Sequence, residues 1–109
     1  MLRTFFFVLL LLSIAEASVS QGKLIYTKEC LQCHLNGKAL SSHKTAQKWK
    51  ELFNIYNKTN ELAQTHLNTK KAKSSWPYFH NASYQKDSKH LKDFMQKYSS
   101  DRGRHNSCN

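Results

Sequence analysis

The sequence predicts an all-α fold of three to four helices in one domain. Apolar residues recur at helical spacing in several separate stretches, no stretch alternates with the two-residue period of a strand, and neither an internal repeat nor a low-complexity tract interrupts the pattern. At 109 residues the chain has room for one core only.

The first seventeen residues read as an export signal. Arg3 supplies the early cation, Phe5 to Leu12 is an unbroken apolar run, and the small residues Ala15 and Ala17 place a cut before Ser18. The run stops at Ser13 and Glu16, short of the roughly 20 apolar residues that span a bilayer, so the mature protein is expected to be soluble. Residues 18–109 then form the working domain.

Within that domain, Gly22, Ile25, Tyr26, Cys30 and Cys33 lie at helical spacing and predict a helix from Gly22 to Cys33. Asn36-Gly37 turns the chain. Ala46, Trp49, Leu52, Phe53 and Tyr56 mark one face of a second helix. Asn57 to Asn60 reads as a turn, with Asn60 capping a short helix that buries Leu62, Ala63, His66 and Leu67. Asn68 to Lys73 is polar and basic, which predicts a loop. The aromatic cluster Trp76-Pro77-Tyr78-Phe79 is expected to be extended or turned, because proline lacks a donor and restricts its predecessor. Asp87 or Ser88 caps a last helix with Leu91, Phe94, Met95 and Tyr98 as its apolar stripe, and the tail from Asp101 frays. Such a small set of helices buries little surface and calls for a staple, metal or cofactor.

Three cysteines are too few and too unevenly placed for a disulfide framework: Cys30 and Cys33 stand together, while Cys108 is penultimate. Cys30-Leu31-Gln32-Cys33-His34 has the C-x-x-C-H spacing of covalent haem attachment. Cysteines three apart lie on one side of a helical turn, where both thiols reach the two vinyl groups of one porphyrin, and His34 follows as an iron ligand. A thioredoxin-like dithiol shares the C-x-x-C spacing but belongs beside a strand, and a zinc site needs four N or S ligands that scattered histidines do not announce. An export signal agrees with attachment after translocation.

Around these residues the chain resembles a class I bacterial cytochrome c. Gly22, Tyr26 and Cys30 follow the family's order on the first helix, and Met95 and Tyr98 have the spacing of the last-helix residues that press on that glycine. The likeness covers Gly22 to His34 and about Ser88 to Ser99. It implies a cytochrome c-like helical fold around one haem c, held through Cys30 and Cys33, with His34 as proximal iron ligand. The sequence departs from the family in two respects. No methionine precedes the last helix, since Met1 lies in the signal and Met95 within that helix, and no proline follows His34 between Leu35 and Lys44. The distal ligand is therefore open among His80, His66, His90 and Met95. Trp76, Tyr78 and Phe79 are candidates to shield the haem, and Trp49 and Tyr56 either contact it or fill the core.

Seventeen Lys and Arg face seven Asp and Glu, a net charge of +10 that removal of Arg3 and Glu16 with the signal leaves unchanged. Lys23, Lys28, Lys86, Lys89, Lys92 and Lys97 are placed to steer acidic redox proteins, or an anionic membrane surface, toward an exposed haem edge. An exported chain without a nucleic-acid motif is not expected to bind nucleic acid. Cys108 is an unpaired thiol that serves a bridge, a tether or nothing, and Asn57-Lys58-Thr59 and Asn81-Ala82-Ser83 match the glycosylation pattern. The expected protein is a monomeric periplasmic electron carrier, not an enzyme. The alternative is a haem protein with an open sixth position that binds gases, senses or acts as a weak peroxidase.

Overall fold

A computed structural model describes residues 2–56 and 59–102. Cys108 and the Asn57-Lys58 part of the first glycosylation pattern lie outside the described residues. Six α-helices follow in order: α1 (Leu2–Glu29), α2 (Gly37–Ser41), α3 (Ala46–Leu52), α4 (Glu61–Leu67), α5 (Trp76–His80) and α6 (Ala82–Lys97), with a 3₁₀ helix at Lys70–Ser75 before α5. Among the described residues there is no strand beyond an isolated bridge between Tyr56 and Thr59. The all-α class holds, but the described residues form six α-helices where three to four were expected, because α2 and α5 arise in stretches read as turns.

The apolar run at the start of α1 is continuous with the helix that enters the domain. Phe5, Phe6, Phe7 and Ile14 are exposed, and burial begins at Ser18, which is 8% exposed. From Arg3 to Glu29 the helix is long and apolar enough to cross a membrane by length and composition, a test that an N-terminal signal sequence also passes. The short apolar run therefore sits on a longer helix than its own length implied.

The C-terminal half of α1 crosses α6, and Gly22 marks the crossing. A Cβ at Gly22 would overlap the His90 carbonyl oxygen and stand 2.7 Å from Phe94 Cβ, so only a hydrogen allows the two backbones to meet. One turn later Tyr26 packs on Phe94, ring centroids 5.9 Å apart, and Phe94 stacks edge-on against Tyr98 at 5.4 Å. The expected pressure of Met95 on Gly22 is corrected: Phe94 occupies that place, because the register of the crossing turns Met95 toward α2, where the Ser41 hydroxyl lies 3.0 Å from its sulfur.

The core comprises Tyr26, Trp49, Phe53, Ala63, Tyr84, Leu91, Phe94 and Met95. Trp49 is buried on α3 and its indole N–H donates to the Ser41 carbonyl at 2.9 Å, which satisfies the one polar group that burial would otherwise orphan. Asp101 accepts from the Ala46 N–H at 2.9 Å, and Gln96 donates to the Ala46 carbonyl at 3.1 Å, so the end of α6 holds the start of α3. Asn60 caps α4 as its position implied, accepting from the Ala63 N–H at 2.9 Å.

Several boundaries differ from expectation. Helix α3 stops at Leu52, so Tyr56, expected on its face, lies beyond it in the bridge to Thr59. The first helix ends at Glu29, and Cys30 to Cys33 continues as a turn. Trp76–His80 is helical because Pro77 falls in the first turn, where its missing donor costs nothing. Helix α6 starts at Ala82, capped by Asn81 through the Ser83 N–H at 2.9 Å, rather than at Asp87 or Ser88. Those two residues find other partners: Asp87 accepts from the Tyr78 hydroxyl at 2.9 Å, and Ser88 donates to the Gln85 carbonyl at 3.2 Å. The basic stretch expected as a loop is in part the 3₁₀ helix.

Candidate cofactor cleft

Where α1 ends, the chain makes one further turn. The Cys30 N–H donates to the Tyr26 carbonyl at 2.8 Å, and the Cys33 and His34 N–H groups donate to the Cys30 carbonyl at 3.2 and 3.1 Å. This near-helical spacing keeps Cys30 and Cys33 on one side. The Tyr26 hydroxyl then donates to the Leu35 carbonyl, tying the far end of the turn back to α1. Asn36 closes the segment by capping α2 through the Ala39 N–H at 3.0 Å.

Cys30, Cys33 and His34 open on one cleft of about 360 Å³, together with Glu29 and Gln32. That volume falls within the roughly 300–1,000 Å³ typical of ligand pockets. The facing wall comes from Thr65, His66 and Thr69 on and just after α4, from Lys71, Ala72 and Ser75 of the 3₁₀ helix, and from Phe79 of α5. The wall is fixed from behind, since the Trp76 indole N–H donates to the His66 carbonyl at 2.8 Å. The Phe79 ring lies 4.5 Å from the His66 ring and 4.8 Å from Tyr84, which continues the wall into the core.

Burial pushes the Cys30 thiol up to about 12, with Glu29 and then Cys33 adding to the effect. Burial, and then the neighbouring His66, holds His34 below its ordinary value and favours the neutral imidazole that binds metals. Burial also raises the Tyr26 phenol to about 12, which keeps its hydroxyl a donor to Leu35. Cys30 and Cys33 are free thiols, the first half-buried and the second exposed.

Of the distal candidates, His66 faces His34 across the cleft, with ring centroids 5.8 Å apart. His80 is exposed at the end of α5 and does not line the cleft. His90 lies at the α1–α6 contact, its Nδ1 2.9 Å from the Ser18 hydroxyl, which itself donates to Asp93 at 2.6 Å. Met95 is 4% exposed within the core. Of Trp76, Tyr78 and Phe79, expected to shield the site, Phe79 reaches the cleft while the other two brace the elements around it; Trp49 is core, and Tyr56 is exposed and neither fills the core nor lines the cleft.

No family model, curated protein or solved structure matches the chain. Among the described residues no three His, Cys, Asp or Glu side chains are grouped to hold a metal ion by themselves. Two imidazoles face one another, two thiols stand beside one of them, and a group that brings its own equatorial donors fits this set. Thr65, Thr69, Lys71, Ala72 and Ser75 escaped the sequence reading. Thr69 was within reach, being three residues beyond His66 on the same face, whereas nothing local marks Lys71 or Ser75.

Proposed function

We propose that the chain is an exported monohaem c-type cytochrome that carries single electrons between redox partners. The observation that carries this reading is the convergence of Cys30, Cys33 and His34 on one cleft with a second imidazole on its far wall. Cys30 and Cys33 hold the porphyrin through thioethers, and His34 binds the iron. The group supplies reversible one-electron iron chemistry. Phe79 and the half-buried Ala72 supply apolar contacts on the wall opposite the cysteines. A thioredoxin-like dithiol belongs beside a strand, and among the described residues the cysteines adjoin helix and turn only.

The N-terminal apolar helix is compatible with a signal sequence, and the periplasm is the compartment we assign. The net charge of +10 favours acidic redox partners. Lys71 lines the cleft and Lys28 is exposed beside Glu29 at its edge, so both are placed to guide such a partner. Lys97 pairs with Glu16 at 2.9 Å, and cleavage before Ser18 would release it for the same purpose.

Expression with export in a host able to attach haem, followed by a pyridine haemochrome spectrum, tests the reading. The wild-type protein should carry one haem c per chain, and Cys30→Ala with Cys33→Ala should abolish attachment. A folded, fully matured protein without haem would refute it.

A further inference from the structure

The structure assigns the second axial position to His66, so that the haem proposed above is held between two imidazoles. The separation comes first. Two metal–imidazole bonds of about 2 Å each, together with the half-width of each ring, place the centroids roughly 6 Å apart, and the His34 and His66 centroids stand at 5.8 Å. The two ring planes stand at 73° to one another.

The tautomer agrees. His66 Nδ1 lies 2.8 Å from the Leu62 carbonyl, one turn back on α4. A carbonyl only accepts, so Nδ1 carries the proton and the lone pair is on Nε2. Metal-binding histidines use the same arrangement, in which a bond from the non-ligating nitrogen fixes ring and tautomer. The Phe79 ring at 4.5 Å holds the imidazole from the side, and the Trp76 bond to the His66 carbonyl anchors the backbone. The competing side chains are engaged or distant: His90 is bonded to Ser18, Met95 receives the Ser41 hydroxyl at its sulfur, and His80 is outside the cleft.

An imidazole in place of a thioether lowers the reduction potential, and a filled sixth position excludes small ligands. The inference rests on the c-type haem reading, and the test separates the two. Haem content, near-infrared magnetic circular dichroism and carbon monoxide binding are measured on the matured wild type, His66→Ala, His66→Met and His80→Ala. The wild type should give the bis-imidazole charge-transfer band and stay inert to carbon monoxide on mixing. His66→Ala should keep its haem, turn high-spin and bind carbon monoxide at once, with added imidazole restoring the low-spin spectrum. His66→Met should move the charge-transfer band to the histidine–methionine position, and His80→Ala should match the wild type. A histidine–methionine or five-coordinate band in the wild type overturns the assignment whether or not the variants fold, as does an unchanged spectrum in haem-loaded His66→Ala. Absence of haem from the wild type sinks the c-type reading itself.

Discussion

Replacing Gly22 with alanine tests the helix crossing on which the domain is built. The added Cβ would overlap the His90 carbonyl oxygen and stand 2.7 Å from Phe94 Cβ and 2.8 Å from the His90 carbonyl carbon, all closer than real Cβ contacts come. Two of these three neighbours are backbone, so no rotamer change relieves the overlap and the helices must part. Overpacking costs about 1–3 kcal/mol, and a backbone obstacle places this case at the upper end. Alanine recovers about 1 kcal/mol over glycine within a helix. The net loss is about 2 kcal/mol, which lowers Tm by roughly 8–16 °C at the 4–8 °C per kcal/mol expected for a domain of this size. Thermal unfolding followed by circular dichroism on the haem-loaded protein measures it, with the exposed neighbour Lys23→Ala as a control expected within about 0.5 kcal/mol of wild type. A Gly22→Ala protein as stable as wild type, or more so, would show that α1 and α6 do not meet as described.

Asn60→Ala should cost about 2–4 kcal/mol, about 1 from the lost cap and about 1–3 from the orphaned Tyr84 hydroxyl, which bonds Asn60 Oδ1 at 2.8 Å; adding Tyr84→Phe should recover part of it in a double-mutant cycle. Asp101 is held below its ordinary value of 3.8, chiefly by the Ala46 N–H and then by the Ser99 hydroxyl. Its stabilisation is therefore present above that value and lost as pH falls through the lower folded one, so Asp101→Asn should be the less stable protein at neutral pH and converge on wild type in acid. Association with an acidic redox protein should slow steeply with added salt, and Lys71→Glu should weaken that dependence in stopped-flow measurements.

The grouping of Cys30, Cys33 and His34 on one cleft was legible because it is local: five consecutive residues bring the three side chains to one turn. Asn60 as a cap and His66 on the inward face of α4 were legible for the same reason, one residue type at one helical position. Which of His80, His66 and His90 stands opposite His34 was not, because it depends on which helix faces the turn after α1, a contact between residues 34 and 66 that no local pattern encodes. The start of α6 was misread because Asp87 and Ser88 look like caps until Tyr78 and Gln85 are seen to engage them. Tyr84 thereby joined the core unannounced. Phe94 at Gly22 was hidden in a stripe where Leu91, Phe94, Met95 and Tyr98 are equivalent by spacing and only the crossing register separates them.

The two halves of the molecule differ in what holds them. Tyr26 on α1 and Tyr84, Leu91, Phe94 and Met95 on α6 supply most of the buried apolar side chains. The cleft side rests on α4 with seven residues, the 3₁₀ helix with six and α5 with five, and Ala63 is their one fully buried residue among those described. Helices that short do not persist alone in water, and local stability follows buried contact. If the proposed haem fills the cleft, it should order the far wall, through His66 and Phe79 in particular. Hydrogen exchange should show amides of residues 61–80 protected in the haem-loaded protein and at least tenfold less so in the Cys30→Ala, Cys33→Ala variant, a loss of about 1.4 kcal/mol or more. Amides near Leu91 to Met95 should change little. Equal loss in both regions would mean that the domain opens as one unit, and no loss at residues 61–80 would mean that the wall stands without the haem.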